Sequence, residues 1–105
     1  MDAKVLSEIV EILKQASQPR TIILFGSQST GSAQADSDID LLVIETTVQN
    51  RMQEMVRLLR LLSPLRLPLD VLVIQEDDFL RRSQVSGNVY YEASRTGKVL
   101  YDYAA

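Results

Sequence analysis

Three aspartates lie in or beside short apolar segments, where carboxylates are uncommon. Asp38 and Asp40 stand at the entrance of the apolar run 39–44, and Asp70 lies near the start of the run 69–74. Aspartate is depleted from strands, so these placements call for a reason. Residues two apart in a strand point to the same face, so Asp38 and Asp40 project together, roughly 6–7 Å apart along the backbone. If the strand of Asp70 is a neighbour, at about 4.8 Å, all three carboxylates converge on one patch.

Such a cluster favours metal-assisted phosphoryl chemistry. Three like charges this close repel one another, and cations between them make the arrangement tolerable. An oxygen-only ligand set suits Mg²⁺ or Mn²⁺, and two ions about 3.5–4 Å apart would stabilise the attacking and leaving oxygens of an in-line displacement. The sequence therefore predicts Asp38, Asp40 and Asp70 as catalytic metal ligands, with two Mg²⁺ ions as the cofactor. The plainer interpretation makes them a turn residue, an edge-strand solubilising group and a loop residue.

The remaining composition leaves carboxylates as the groups that would carry chemistry. The chain of 105 residues has no cysteine and no histidine, which excludes disulfides, Cys/His zinc sites, thiol nucleophiles and Ser-His or Cys-His dyads. Its 11 basic and 14 acidic residues give a net charge of −3, without the basic face that duplex DNA or an anionic membrane demands. We therefore expect neither direct DNA binding nor membrane association.

A glycine–serine pair supplies the complementary half of the candidate site. Gly26 and Ser27 follow the apolar run 21–25, and a strand that ends this way before a short helix leaves backbone N–H groups and a hydroxyl for phosphate oxygens. Gly31 would permit a turn before the chain doubles back to Asp38. Such pairs are common in turns, so the value of this one lies in its position, one connection from the carboxylates.

The elements that must position these residues follow from hydrophobic periodicity and from Gly and Pro breaks. In chain order the sequence predicts a helix at 2–17, a strand at 21–25, a turn with a short helix at 26–35, a strand at 39–44, a helix at 48–62, a strand at 69–74, a helix from near Phe79 capped by 76–78, a short helix at 89–95 and a strand at 99–101. Helices alternating with apolar strands indicate an α+β (α/β-like) fold, with a small mixed sheet flanked by helices. We expect one domain over residues 1–105, with the strand order left open.

The overall balance is that of a water-soluble globular chain. Hydrophobic residues make up 46% and charged residues 24%, and the mean hydropathy is near zero. No apolar run approaches the roughly 20 residues of a spanning helix. The amino terminus is unlike a signal peptide, so we expect a cytoplasmic protein.

Together, the residues Leu24-Phe25-Gly26-Ser27, Gly31 and Ser37-Asp38-Ile39-Asp40-Leu41-Leu42-Val43 resemble the signature of the DNA polymerase β-like nucleotidyltransferase superfamily. They are most similar to its minimal nucleotidyltransferase (MNT) members, and the likeness extends over nearly the whole chain. The resemblance implies Mg²⁺-dependent transfer of a nucleoside monophosphate from a nucleoside triphosphate to an acceptor hydroxyl, with pyrophosphate leaving. It implies ATP as the donor, although another triphosphate would fit the same motif.

The resemblance also implies a role for each site residue. Asp38 and Asp40 correspond to the two metal-binding aspartates, and Asp70 to the third carboxylate, which also assists deprotonation of the acceptor. Gly26 and Ser27 correspond to the triphosphate-binding turn, and Ser37 joins them as a nucleotide-binding residue. Many MNT proteins are antitoxins of HEPN-domain ribonuclease toxins, and some adenylylate a toxin tyrosine. The resemblance therefore implies an adenylyltransferase antitoxin with a HEPN toxin as partner, in a homo-oligomer or a hetero-oligomer.

One departure from the family keeps two alternatives open. The family's turn often continues with arginines, whereas Gln28, Ser29 and Thr30 stand here. A basic residue from elsewhere could meet the triphosphate, and the candidates in this chain are Arg20, Arg66, Arg81 and Arg82. The first alternative is an MNT-fold binding module that neutralises its partner by contact alone. The second is a subunit of a small-molecule, antibiotic-type nucleotidyltransferase.

Overall fold

The structure, a computed structural model, describes residues 3–26 and 38–104. Within those ranges the elements are α1 (Ala3–Ser17), β1 (Thr21–Phe25), β2 (Ile39–Glu45), α2 (Arg51–Leu62), a 3-10 turn (Ser63–Leu65), β3 (Leu69–Gln75), α3 (Glu76–Arg82), α4 (Val89–Thr96) and β4 (Lys98–Asp102). The four predicted strands are all present. The short helix predicted within 26–35 falls outside the described residues, apart from Gly26.

The strands form one mixed sheet in the order β3-β2-β1-β4. β1 runs antiparallel to both β2 and β4, whereas β2 and β3 are parallel. A parallel pair needs a crossover connection, and α2 supplies it. The predicted α+β fold, a small mixed sheet flanked by helices, is confirmed.

Helices cover both faces of the sheet, which is why the strands are apolar throughout. On one face, residues from α1 and α2 pack against alternate residues of the strands, namely Ile9, Leu13, Leu58 and Leu62 against Ile22, Leu24, Ile39, Leu41, Val43, Val71 and Val73. On the other face, residues of α3 and α4 pack against Ile23, Leu42, Ile44 and Ile74. A strand buried on both faces appears in sequence as a continuous apolar run.

The two helices that follow strands begin at other residues than predicted. α2 was expected from Val48, but the Val48 N–H donates to Gln75 Oε1 at 2.9 Å, and the helix starts after Asn50. Asn50 caps it by accepting from the Gln53 N–H at 3.0 Å. The helix expected from near Phe79 starts at Glu76.

The acidic residues 76–78 therefore form the first turn of α3 and not a cap before it. Negative charge in that position interacts favourably with the helix dipole. The N-cap residue of this helix is Gln75, whose side chain makes no capping hydrogen bond.

Among the described residues, no helix has both the length and the apolar character needed to cross a bilayer.

Glu45, the last residue of β2, is a buried acid with only 7% of its surface exposed. Its carboxyl group hydrogen bonds to Glu54 in α2, and Arg57 holds Glu54 through two hydrogen bonds of 2.8 and 2.9 Å. Burial, followed by the hydrogen bond and charge of Glu54, raises the pKa of Glu45 to about 8. The Arg57 guanidinium lowers the pKa of Glu54. At neutral pH, Glu45 is therefore a carboxylic acid and Glu54 a carboxylate.

We expect the contribution of Glu45 to the free energy of unfolding to fall as the pH rises. The ordinary glutamate pKa is 4.5, whereas the folded chain holds this proton to about pH 8, so folding takes up a proton between these values. The contribution is complete below pH 4.5 and is lost toward pH 8. The slope is at most about 1.4 kcal/mol per pH unit, and urea unfolding at a series of pH values measures it.

Two variants assign the slope to this side chain. Glu45→Gln keeps the size and hydrogen bonding of the group without its titration, so the slope should flatten. Glu8→Gln makes the same change at an exposed position of α1 and serves as the control. A slope that persists in Glu45→Gln would contradict this assignment.

Candidate active site

The pairing of β2 with β3 sets two of the predicted site residues side by side. In this parallel pair Asp40 is the register partner of Asp70, and on the other side Asp40 is paired with Phe25 of β1. Asp38 lies just before β2 and is exposed, while Asp40 is half-buried and Asp70 is exposed. Asp38 lies near enough to Asp40 for its charge to act on that carboxyl group. The two aspartate-bearing strands, whose order the sequence left open, are neighbours in the sheet.

The three carboxylates interact electrostatically. The pKa of Asp40 is raised, first by burial, then by the charge of Asp70 and then by that of Asp38. A raised aspartate pKa means that the surroundings disfavour its ionised form. The charges of Asp70 and Asp38 therefore disfavour the ionised form of Asp40. A bound cation would offset this repulsion.

Gly26 closes the site from the end of β1. Its φ is +73°, a conformation that side chains rarely adopt, and a Cβ placed there would lie 2.5 Å from Asp40 Oδ2. Both the backbone conformation and the close approach of Asp40 thus favour glycine. The glycine turn and the strand aspartate, which the sequence predicts to act together, therefore lie side by side.

The segment that leads into β3 holds the start of β2. The Ile39 N–H, between Asp38 and Asp40 in the chain, donates to the Pro68 carbonyl oxygen at 2.7 Å. Arg66 in this segment has a φ of +55°, in the left-handed region. This hydrogen bond ties the entrance of β2 to the entrance of β3, so the aspartates are held from both strands.

Two predicted nucleotide-binding residues, Ser27 and Ser37, lie outside the described residues, as does Gly31. Of the four candidate arginines, three have contacts elsewhere: Arg20 binds Glu76, Arg81 binds Asp78, and Arg82 lies over the ring of Tyr90. Arg66 is the one whose segment leads to Asp70. The Glu45–Glu54–Arg57 group was not predicted from the sequence, although a glutamate at the end of an apolar strand was a visible signal.

The donor chemistry of the site fits a hard divalent cation. Its groups are carboxylate oxygens, which Mg²⁺ and Mn²⁺ prefer, and the repulsion on Asp40 is what such a cation would offset. Within residues 3–26 and 38–104, no three Asp, Glu, His or Cys side chains are already gathered closely enough to hold an ion. A cation would therefore have to draw these carboxylates together.

Comparison with known proteins gives one family and several similar structures. The sequence profile of the family described as "Polymerase beta, Nucleotidyltransferase" matches residues 7–104. A chain in a crystal structure of a toxin–antitoxin with AMP-PNP is 25% identical, with a TM-score of 0.67 over 92% of this chain and 73% of that chain. A search of curated proteins finds no match.

Two further structures share the fold at lower identity. One is a complex of a tri-AMPylated HEPN toxin of Shewanella oneidensis with an MNT antitoxin, 22% identical, with a TM-score of 0.64 over 99% of this chain and 75% of that chain. The other is the toxin–antitoxin MntA-HepT, 20% identical, with a TM-score of 0.64 over 98% of this chain and 74% of that chain.

Alanine substitutions at two glycines separate backbone strain from contact with Asp40. Gly26 and Gly87 both have a positive φ, +73° and +93°, but a Cβ at Gly87 meets nothing within 4 Å. We expect Gly26→Ala and Gly87→Ala each to lower the free energy of unfolding by about 1 kcal/mol, because both carry the backbone strain. Only Gly26→Ala should displace the Asp40 carboxylate, whose flexible end is the contact atom.

Carbon-13 NMR titration of the Asp40 carboxyl group measures that displacement. Its raised pKa should change in Gly26→Ala and stay unchanged in Gly87→Ala. If the Asp40 titration curve is the same in Gly26→Ala as in the unsubstituted protein, the contact does not position this carboxylate.

Proposed function

This chain belongs to the polymerase beta nucleotidyltransferase family, and from that membership we propose that it transfers a nucleoside monophosphate from a nucleoside triphosphate to an acceptor hydroxyl. The observation that supports the proposal most is the pairing of Asp40 with Asp70 beside Gly26. A carboxylate pair at the end of a glycine turn can hold a metal–triphosphate and leave an open side for the acceptor.

Each carboxylate has a proposed part in the transfer. Asp38, Asp40 and Asp70 would hold two Mg²⁺ ions, or Mn²⁺, which when bound supply positive charge that offsets the triphosphate and the attacking oxygen. Asp70 lies on the edge strand of the sheet and is exposed, so an acceptor can approach it from solvent. It takes the proton of the acceptor hydroxyl as that oxygen bonds to the α-phosphorus. The bond from the α-phosphorus to the bridging oxygen breaks, and pyrophosphate leaves.

The glycine turn has the complementary part of binding the nucleotide. Gly26 ends β1 in a left-handed conformation, which lets the chain turn beside Asp40 without a side chain in the way. Gly26, Ser27 and Ser37 are the residues that we propose for the triphosphate. Backbone N–H groups at such a turn suit phosphate oxygens without needing an arginine.

The solved relatives support the donor and the partner. One is a toxin–antitoxin with AMP-PNP, and another contains a tri-AMPylated HEPN toxin with its MNT antitoxin. We propose by extension that this chain is an antitoxin that transfers AMP from ATP to a tyrosine of a HEPN toxin. A reaction that uses ATP and a ribonuclease toxin belongs in the cytoplasm.

A second candidate function is neutralisation of the toxin by contact alone. It is favoured by the uncharged residues Gln28, Ser29 and Thr30 that follow the turn. Three of the four candidate arginines are also engaged away from the carboxylates. Weak triphosphate binding would follow, and the fold would then serve as a binding surface.

Transfer is tested by incubating the protein with a candidate HEPN partner, Mg²⁺ and each of the four nucleoside triphosphates. Mass spectrometry should show AMP added to a partner tyrosine with ATP. Replacing two metal-holding carboxylates, in Asp38→Asn/Asp40→Asn, should lower the rate by at least about a hundredfold, the scale of losing an electrostatic catalytic group.

Asp102→Asn, at an exposed position of β4, is the control and should leave the rate unchanged. If the partner stays unmodified with all four triphosphates, or is modified equally by the double variant, the proposal that this site catalyses the transfer is wrong. A folded double variant that still suppresses toxicity in cells would establish neutralisation by contact.

A further inference from the structure

A cavity lies at the end of β2 opposite to Asp40. It has a volume of about 380 Å³ and opens between the end of the strand and the first turns of α2. Its lining is polar and includes two acids and one arginine: Glu45, Thr47, Val48, Gln49, Asn50, Gln53, Glu54 and Arg57. Because β2 spans Ile39–Glu45, this cavity is separated from the candidate active site by the length of the strand.

Glu45, one of the residues that line this cavity, has a carboxyl oxygen that accepts no hydrogen bond from the described residues. Its Oε2 is buried and has no hydrogen-bond partner among the described residues. The carboxyl group bonds to Glu54, which Arg57 already holds with two of its nitrogens. A buried oxygen without a donor costs about 1–3 kcal/mol, so a donor that enters the cavity would gain from meeting it.

The charges of the lining select the kind of donor. At neutral pH Glu45 is protonated and Glu54 is paired with Arg57, so the charges of the lining cancel. Once Glu45 gives up its proton, the three groups sum to one negative charge, which a monovalent cation balances. Within the described residues no three metal-ligating side chains are close enough to hold a metal ion. The hydroxyl of Thr47 and the amide of Gln49 are further neutral acceptors in the lining. These features fit a cation that carries several N–H donors on a small head.

We propose that this cavity binds a primary ammonium group, which donates a hydrogen bond to Oε2 of Glu45 and replaces the proton that Glu45 otherwise carries. The ammonium can belong to a free polyamine or to a lysine of a bound protein. In either case its N–H groups bond to Glu45. Its positive charge, together with that of Arg57, then balances the negative charges of Glu45 and Glu54.

Proton release follows from this exchange. In the empty cavity Glu45 holds its proton to about pH 8, so binding at neutral pH expels it. The charged groups that act on Glu45 are Glu54 and Arg57, both from α2. Its partner on β3 is the neutral Gln75, and Arg20, which precedes β1, is bound to Glu76. Glu45 is thus the group whose titration should follow the ligand.

NMR titration of the ¹⁵N-labelled chain tests the proposal, with propylammonium as the simplest probe. Putrescine and the lysine derivative Nα-acetyl-lysinamide distinguish a polyamine source from a lysine source. Tetramethylammonium has the same charge but no N–H donor, and KCl controls for ionic strength. Amide shifts confined to residues 45–57 should saturate with the three primary amines. They should not change with tetramethylammonium or KCl.

Glu45→Gln should weaken propylammonium binding at least about tenfold, since it removes the negative charge and keeps the size of the side chain. Glu8→Gln, on the exposed side of α1, should leave it unchanged. A second measurement needs no variant: the affinity of the unsubstituted protein should rise by up to about tenfold per pH unit as the pH approaches 8, because one proton is released.

Three results would overturn the proposal. They are equal shifts with tetramethylammonium, affinity that does not change with pH, and the absence of any saturable shift. The last would mean that solvent alone fills the cavity.

Discussion

The candidate active site depends on the parallel register of β2 against β3. Asp40 lies opposite Asp70 because Ile39 pairs with Leu69, and the same register continues to Glu45 and Gln75. A shift by one residue would turn every side chain of one strand to the opposite face, away from the core that it fills. The cores on both faces and the hydrogen bond from Ile39 to Pro68 therefore position the carboxylates as firmly as they hold the fold.

The β2 strand carries an acid at each end of its apolar centre, and the surroundings of both acids are unfavourable for a carboxylate. Asp40 lies beside two other carboxylates, and Glu45 has a buried oxygen without a donor among the described residues. Departures from local preference of this kind concentrate at functional sites, where the surrounding packing stabilises them. The four residues between these acids are all buried and apolar, which gives the strand the stability to hold both ends.

Local patterns in the sequence predicted more than tertiary arrangements. The apolar strands and their aspartates were visible because strands buried on both faces contain few polar residues. In the structure Gly26 lies beside Asp40, so that a Cβ at this position would overlap the carboxylate. The strand order could not be predicted, because periodicity does not say which strands pair. The predicted start of α2 was wrong because Val48 continues the helical pattern in sequence, whereas its N–H donates to the side chain of Gln75 on β3. The bond between Glu45 and Glu54 depends on the same tertiary approach of helix and strand.

We propose that a divalent cation relieves the repulsion among the carboxylates, and the stability of Asp40→Asn with and without Mg²⁺ tests this proposal. In a chelator, the variant should be more stable than the unsubstituted protein by about 0.2–1 kcal/mol, because one like charge is gone. Mg²⁺ at a hundredfold excess over its Kd should stabilise the unsubstituted protein by about 2.7 kcal/mol and the variant much less. The unsubstituted protein should then be the more stable of the two. Asp102→Asn should behave as the unsubstituted protein does. If Asp40→Asn is less stable than the unsubstituted protein in chelator, or if Mg²⁺ stabilises both proteins equally, the proposal is wrong.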